Sequence, residues 1–453
     1  MKTQEMTHAI ERDQDWYRTH FDVLEKGLNG EATTELHTIR RAAFAHFLAT
    51  GFPTTRDEEW RFTNVLPIAK SRFNRATAQS IPSLNNNDVE RFTPVGLNAH
   101  RLVFVNGVYA ATLSDLAAIP VGATVSNLAE AISANPEIVG KPLTRYARFD
   151  ESAFTALNTA FLHDGAFVHI PDGMILEKPI HIIFVSTGDP DGFTAHPRNL
   201  IVVGNNSQVS LLESYVSLAK TPYFMNAVSE IVLGENAVVE HDKLQDESEA
   251  AFHVGTIHVH QHRRSNFTSN SIALGGALVR NNVTVVLDDE GCESTLNGLS
   301  LAMHQQLVDN HTTIDHAKPH CNSHELYKSI LDGKSRGVFN GKIFVRKDAQ
   351  KTDAKQTNKT LLLSDDATID TKPQLEIFAD DVKCTHGATV GQLDEEQVFY
   401  LRSRGLSNSE ARDILTFAFA SDVVHRVHIE PLREQLDAMI QSRLRKGREN
   451  GAY

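Results

Sequence analysis

The sequence has few cysteines and no excess of positive charge, and each absence excludes a class of protein. Its 453 residues include only three cysteines, Cys292, Cys321 and Cys384. An odd number of widely spaced cysteines does not make a disulfide framework, so we expect reduced thiols. The formal net charge of −13 argues against a nucleic-acid partner, because nucleic acids bind to clustered positive charge.

Long apolar runs are also missing. The run at 180–185 is interrupted by His181 and is far shorter than the ~20 residues that span a bilayer. The first fifteen residues carry several charges, where an export signal would need an apolar stretch. We therefore expect a cytoplasmic protein with no membrane partner.

The sequence offers no complete nucleotide-binding motif. Gly333-Lys334-Ser335 resembles the end of a phosphate-binding loop, but Lys328 stands where that motif requires its first glycine. No Gly-x-Gly-x-x-Gly fingerprint follows a predicted strand. The residues by themselves name no reaction, and ATP hydrolysis by this chain is not expected.

Helical patterns occupy both ends of the chain. Residues 5–49 have helical spacing, and Gly51 and Pro53 then end the pattern. Near the other end, Ser407 and Glu410 have the spacing of a capping box, which predicts a helix that begins there. The polar stretch 85–88 is interpreted as a connection near the end of the first helical region.

The middle of the chain has the pattern of stacked β-strands. Short runs rich in β-branched residues, such as 102–105 and 199–203, predict strands. Similar polar turns recur at 203–209 and 233–239, which suits either the coils of a β-helix or a large stacked β-sandwich. We expect a mainly helical region at 1–99, a β core at 100–393 and a helical region at 394–453.

Two histidine-containing segments offer metal ligands. His311, His316, His320 and His324 lie close to Cys321, but their spacing fits no zinc finger, and alternation along a strand explains much of the pattern. Cys384 and His386 lie two positions apart, so one strand would present both to the same ligand. The alternative is that Cys384 is a small buried apolar side chain. Two ligands cannot hold iron alone, so a second chain would have to complete the site.

Pairs of aspartates permit a different function. Asp288-Asp289, Asp365-Asp366 and Asp380-Asp381 could act as the carboxylates of a β-helix enzyme that cleaves carbohydrates. Each pair also lies at a predicted turn, where aspartate is favoured because its side chain caps the local backbone. The turn interpretation is preferred, and a carbohydrate-active enzyme is the alternative function.

Several segments resemble one known family. Residues 381–396 and 399–405 are similar to the signature of the SufD members of the SufB/SufD family, which assembles iron–sulfur clusters. Matching segments elsewhere cover most of the chain: 56–63, 161–179, 337–343 and 354–358. Cys384-Thr385-His386 replaces a string that is typical of SufB, which favours the SufD branch. The resemblance implies a right-handed parallel β-helix between helical N- and C-terminal domains.

The resemblance also implies a role without catalysis. The chain would be a scaffold that pairs with SufB and binds the ATPase SufC. His386, and secondarily Cys384, would hold a transient iron or iron–sulfur cluster shared with SufB. The relationship between SufB and SufD also allows a homodimer, and a reduced flavin in the complex stays open.

The same resemblance places the SufC contact on the C-terminal helices. The helix that begins at Ser407 is the expected docking element, because an apolar helix can bury one face in a partner's groove. Phe417 and Phe419 cannot lie on one helix face, so at most one of them would anchor SufC. The candidate docking residues are Ser407, Ile414, Leu415, Phe417 and Phe419.

Overall fold

The computed structural model describes residues 15–28, 34–76, 83–188 and 192–449. The helices are α1 (15–26), α2 (Glu35–Thr50), α3 (Leu66–Lys70), α4 (Asn86–Glu90), α5 (Leu128–Ala134), α6 (Pro136–Gly140), α7 (Ala153–Ala160), α8 (Glu395–Ser403), α9 (Asn408–Val424) and α10 (Glu430–Glu449). The first strands are β1 (Asn74–Arg75), β2 (His100–Val105), β3 (Val108–Tyr109), β4 (Thr124–Asn127), β5 (Ala166–Ile170), β6 (Ile180–Ser186), β7 (Phe193–Ala195) and β8 (Arg198–Val203). The coils that follow contain β9 (Gln208–Ser217), β10 (Phe224–Leu233), β11 (Val238–Asp246), β12 (Phe252–Gln261), β13 (Asn266–Ala273), β14 (Leu278–Leu287), β15 (Glu293–Ala302), β16 (Leu307–His316), β17 (Asn322–Leu331), β18 (Arg336–Val345), β19 (Asp353–Leu362), β20 (Thr368–Ile377) and β21 (Lys383–Gly391).

The strands form a parallel β-helix of about eight coils. From β8 onward the chain alternates between two sheets, which end in β20 and β21 respectively. Neighbouring strands within each sheet are parallel, except for the antiparallel pairs β2–β3 and β4–β5 near the beginning. The alternation decides between the two predicted architectures in favour of the β-helix.

The recurring polar turns are the corners of successive coils. Asn206 and Asn236 both adopt a left-handed backbone with φ of 54°, a conformation that asparagine tolerates better than most residues. The Asn236 side-chain amide donates a hydrogen bond to Oδ1 of Asn206 at 3.0 Å, which links the two corners. The repeated turn sequence therefore marked a true structural repeat.

The interior changes character along the β-helix. In the first coils, Phe104, Phe184 and Tyr215 stack in register, with ring centroids 4.9 and 4.8 Å apart. From β9 onward the β-helix also buries charged side chains, among them Glu213 and Lys243. The strands thus enclose an apolar beginning and a polar middle.

Helices cover the outer faces of the two sheets. Phe44 of α2 and Phe154 of α7 pack in one apolar cluster with Phe224 of β10. Val423 of α9 and Leu436 of α10 pack in another cluster with residues of the sheet that ends in β21. Neither cluster includes a residue of β20 or β21, so the last two strands lie beyond this apolar cover.

The helical predictions are confirmed in the part of the chain that the structure describes, and residues 5–14 and 29–33 lie outside it. α2 ends at Gly51, whose φ of 68° suits glycine, and α9 begins at the Ser407 capping box. Residues 85–88 were predicted as a connection, but Asn85 and Asp88 form a capping box that starts α4. Helices α5, α6 and α7 were not predicted within 100–393.

Candidate functional site

The last strand of the β-helix holds Cys384 and His386. Among the described residues, β21 pairs with β19 alone, with Cys384 opposite Ala354 and His386 opposite Gln356. Ala354 and Gln356 are buried in the interior of the preceding coil. Cys384 and His386 therefore lie on the face of β21 that corresponds to this interior, with no further described coil above them.

His386 is consequently exposed, whereas Cys384 is partly buried. The Cys384 side chain packs beside an apolar cluster that contains Val345 and Ala354. Burial raises the pKa of the Cys384 thiol, and the neighbouring Asp353 carboxylate raises it further. This environment favours the protonated thiol, which is a poor metal ligand compared with the thiolate.

A polar column continues from His386 into the interior. Gln356 lies opposite both His386 on one side and Glu325 on the other. The Gln356 amide donates a hydrogen bond to Oε2 of Glu325 at 2.7 Å, and burial raises the pKa of Glu325 to about 7. The sequence did not reveal this column, because its members are about thirty residues apart and only the register of the strands aligns them.

The geometry also limits metal binding by this chain. In the ranges from 15 to 449 that the structure describes, no three His, Cys, Asp or Glu side chains come together in an arrangement that could hold a metal ion. His386 and Cys384 alone would leave most coordination positions of iron open. A metal at this site would need ligands beyond those that the described residues bring together.

The histidine side chains of the segment from His311 to His324 do not come together at one site. His311 lies between Oε2 of Glu59 and Oδ1 of Asp309, at 3.2 and 3.1 Å. His316 is fully buried, its ring shares a hydrogen bond with Ser323, and burial lowers its pKa to about 4. His324 is exposed on β17. His311, His316 and His324 thus have separate structural environments, and the burial of His316 differs from the prediction that these residues alternate on the solvent face of a strand.

The aspartate pairs lie at corners of the β-helix, as their sequence context predicted. Asp288 faces His260 across 3.4 Å, and Asp380 accepts a hydrogen bond from the Gln350 side chain at 2.9 Å. Asp365 accepts a longer hydrogen bond from Gln392 at 3.4 Å. These three contacts link the corners to side chains of neighbouring segments, whereas the predicted role was to cap the local backbone.

One motif was absent from the predictions made from sequence. Gly333, Ser335 and Gly337 have the Gly-x-Ser-x-Gly spacing of a hydrolase nucleophile elbow. Ser335 lies in the corner between β17 and β18, and its side chain is fully buried. A nucleophile elbow requires an exposed serine between a strand and a helix, so the geometry excludes this role.

The C-terminal helices expose only part of the predicted docking surface. Ser407 accepts a hydrogen bond from the Glu410 amide at 3.2 Å and so caps α9. Ile414 is 46% exposed, while Leu415, Phe417 and Phe419 pack partly against the cluster beneath the helices. The Lys328 ammonium lies 4.4 Å from the centre of the Phe419 ring, which fixes that ring against β17.

Two exposed aromatic side chains on α8 were not predicted. Phe399 is 70% exposed and Tyr400 is 57% exposed. Arg412 of α9 and Glu395 of α8 approach to 3.2 Å, which joins the two helices. The sequence contained one signal for this surface, which was an amphipathic helical pattern with aromatic residues on its polar face. The short length of α8 made that pattern hard to recognise.

No helix among the described residues combines the length and the apolar character that crossing a membrane requires.

Comparisons with known proteins agree with the fold and the motifs. The SufBD core domain of the SUF system for iron–sulfur cluster assembly matches residues 184–419, and the SufBD N-terminal region matches residues 11–182. An iron–sulfur cluster assembly SufBD family protein of Synechocystis is 35% identical over 97% of this chain and 100% of its own length. The iron–sulfur cluster assembly protein SufD of Escherichia coli is 34% identical, over 88% of this chain and 91% of that protein.

A third relative with lower sequence identity has the same described role. The iron–sulfur cluster assembly protein SufD of Bacillus subtilis is 28% identical over 66% of this chain and 68% of its own length. Two family matches that together span most of the chain, and two relatives above 30% identity, agree with the signature at 381–405. This chain belongs to the SufBD family of iron–sulfur cluster assembly proteins, in its SufD branch.

Proposed function

We propose that the chain is the scaffold subunit of an assembly complex with SufB and the ATPase SufC. In this proposal the last coil of the β-helix pairs with SufB, and the C-terminal helices bind SufC. The chain itself catalyses no reaction and works in the cytoplasm. A nascent iron–sulfur cluster is the cargo of the complex, and any reduced flavin belongs to the assembled complex.

The exposed last strand is the observation on which the proposal rests. Eight of the nine residues of β21 are exposed, and among the described strands only β19 pairs with it. A long free strand edge presents unpaired backbone donors and acceptors, which another strand can satisfy. A related β-helix, as SufB would have, fits this edge, and a second copy of this chain could occupy it when SufB is absent.

His386 is the ligand that this chain would supply to the cargo. It is exposed on β21, while the more buried Cys384 is held in the protonated state by its surroundings. The missing ligands would come from SufB across the interface. Cluster assembly would then require the pair of chains, since neither the imidazole nor the thiol can hold iron alone.

The SufC contact is assigned to the exposed apolar side chains of α8 and α9. Ile414, Phe399 and Tyr400 present large apolar surfaces to solvent on neighbouring helices. Leu415, Phe417 and Phe419 would support this surface from beneath. In this form of the proposal Ile414 is the anchor among the residues first predicted for docking.

The central test is co-expression of the chain with SufB and SufC, followed by purification of the complex. We expect His386→Ala to retain the complex but to lose the visible absorbance of the cluster. His324→Ala is the matched control, because His324 is an exposed histidine on a strand of the same sheet. Cys384→Ser should reduce cluster content less than His386→Ala.

Two outcomes would contradict the proposal. Recovery of no complex with the wild-type chain would reject the choice of partners. A normal cluster in the His386→Ala complex would reject His386 as a ligand while leaving the scaffold role intact.

SufC docking is tested separately. Ile414→Asp should release SufC from the complex and retain SufB, because a charge replaces an exposed apolar anchor. Ile175→Asp is the control, since Ile175 is also exposed but lies before β6, far from α9 in the chain. Equal recovery of SufC with both variants would mean that SufC docks on a different surface of the chain.

A further inference from the structure

Two of the three cysteines occupy equivalent positions in consecutive coils. Cys292 immediately precedes β15, and Cys321 immediately precedes β17, which is the parallel neighbour of β15. The backbone amide of Asn322 donates a hydrogen bond to the carbonyl oxygen of Cys292 at 3.0 Å. Neighbouring strands lie about 4.8 Å apart, which falls within the Cα separation that a disulfide spans.

The two thiols also converge inside the β-helix. Both side chains are fully buried, and each sulfur lies 3.2 Å from the carbonyl oxygen of Asp289. A hydrogen bond between the thiols lowers the pKa of Cys292 and raises that of Cys321, and the Ser265 hydroxyl also helps to lower the pKa of Cys292. The Ser265 hydroxyl donates a hydrogen bond to the Cys292 sulfur at 4.0 Å, so Cys292 is assigned as the attacking sulfur and Cys321 supplies the second thiol.

We propose that Cys292 and Cys321 form a reversible redox site, in which a small hydroperoxide converts the two thiols into a disulfide between adjacent coils. This inference concerns the chain by itself and does not depend on the proposed partners. The structure holds both cysteines as free thiols, which is the reduced state of the site.

The oxidation proceeds in two balanced steps. The Cys292 thiolate attacks one peroxide oxygen and the O–O bond breaks, so that the other oxygen leaves as an alcohol, or as water from hydrogen peroxide, with the Cys292 proton. Cys321 then attacks the sulfenic sulfur, an S–S bond forms, and hydroxide leaves as water with the Cys321 proton. Two electrons pass from the thiols to the peroxide, and a dithiol reductant reverses the reaction.

Burial determines which oxidants can act. A fully enclosed pair is closed to bulky disulfides such as oxidised glutathione, whereas hydrogen peroxide is hardly larger than water. Cys384 is partly exposed and lies in β21, so a bulky thiol reagent reaches it first. The two kinds of cysteine can therefore be distinguished chemically in the folded chain.

The test uses the full chain with Cys384 first blocked by a bulky alkylating reagent. We expect hydrogen peroxide to remove two hydrogen masses per chain, as measured by intact mass spectrometry, and dithiothreitol to restore them. Peptide mapping without reduction should link the peptides that contain Cys292 and Cys321. Cys321→Ser should lose the link and leave a sulfenic acid at Cys292, which intact mass spectrometry detects as the addition of one oxygen mass.

The result with the wild-type chain tests the proposed redox site even if the Cys321→Ser variant does not fold. Two unlinked thiols that alkylate fully after peroxide treatment and denaturation would overturn the proposal. Oxygen addition at Cys292 or Cys321 without a link between them would also overturn it.

Discussion

Strands β6 and β21 belong to the same sheet and each contains a histidine, but their environments are opposite. Every residue of β6 is buried, whereas eight of the nine residues of β21 are exposed. His181 of β6 shares a hydrogen bond with Ser214 at 2.9 Å, and burial lowers its pKa to about 3. His386 of β21 is exposed. The position of a strand along the β-helix, more than its own sequence, decides whether its histidine is structural or available.

The number of neighbours explains the difference. β6 lies between β2 and β9, while among the described strands β21 pairs with β19 alone. Each coil covers the side chains and backbone edge of the coil before it, and among the described residues no further coil covers the last one. A stacked fold therefore leaves an exposed end without any special local sequence.

The largest expected effect on stability is in the first coils, which form the covered end of the β-helix. Phe184→Ala would remove a ring that stacks between Phe104 and Tyr215 in the first coils. We expect the free energy of unfolding to fall by about 3–5 kcal/mol, because the cavity and the lost burial both cost stability. Urea denaturation followed by circular dichroism measures the loss. A change below ~1 kcal/mol would mean that the first coils are not the stable part of the molecule.

The pH dependence of stability tests a position between the covered and the uncovered ends of the β-helix. The pKa of Glu325 is raised from 4.5 to about 7 by burial, so between these values the folded chain binds more protons than the unfolded chain. Stability should therefore fall as pH rises through this window, by about 3 kcal/mol for this group.

Glu325→Gln removes the titrating group from that position. We expect the variant to gain stability relative to the wild-type chain as pH is raised from 5 to 8, with little difference at pH 5 and below. Urea denaturation at several pH values gives the comparison. A stability difference that does not change with pH would show that Glu325 titrates normally.

A smaller effect is expected in the helical layer beside the last coils. Ser407→Ala removes the side chain that caps α9, and its loss should cost about 1 kcal/mol of stability. Thermal unfolding of the variant measures this cost. Ser407→Asn is the control, because asparagine caps helices about as well as serine and should retain most of the stability.

The smallest effect is predicted for the uncovered end. His386→Ala should change the free energy of unfolding by no more than ~0.5 kcal/mol, because the side chain is exposed. The same urea measurement that is used for Phe184→Ala checks it. A loss of several kcal/mol would show that His386 supports the fold, and its effect on cluster content would then have a structural cause.

Local patterns in the sequence predicted much of this protein. Short runs rich in β-branched residues marked β2 and β8, the repeated Gly-x-Asn turns marked the corners, and the Ser407 capping box marked the start of α9. The signature at 381–405 indicated the family that the comparisons then confirmed. These features depend on residues that are close together in the sequence, so the sequence alone is enough to predict them.

Other features depended on the lengths of the coils. Residues in register in successive coils from β10 to β20 are 26 to 32 positions apart, and no local pattern fixes these separations. The column of Glu325, Gln356 and His386 and the pair of Cys292 and Cys321 were therefore invisible in the sequence. The polar stretch at 85–88 was interpreted as a connection because its capping role depends on a short helix that local propensity does not favour.

The sequence by itself determined the family, the alternation of side chains along each strand and the ends of the main helices, because short-range chemistry controls them. Only the tertiary structure decided which side chains are covered. Phe417 and Phe419 rest partly against the β-helix, while Phe399, Tyr400 and His386 remain exposed, since burial depends on what the next coil or helix places above each residue.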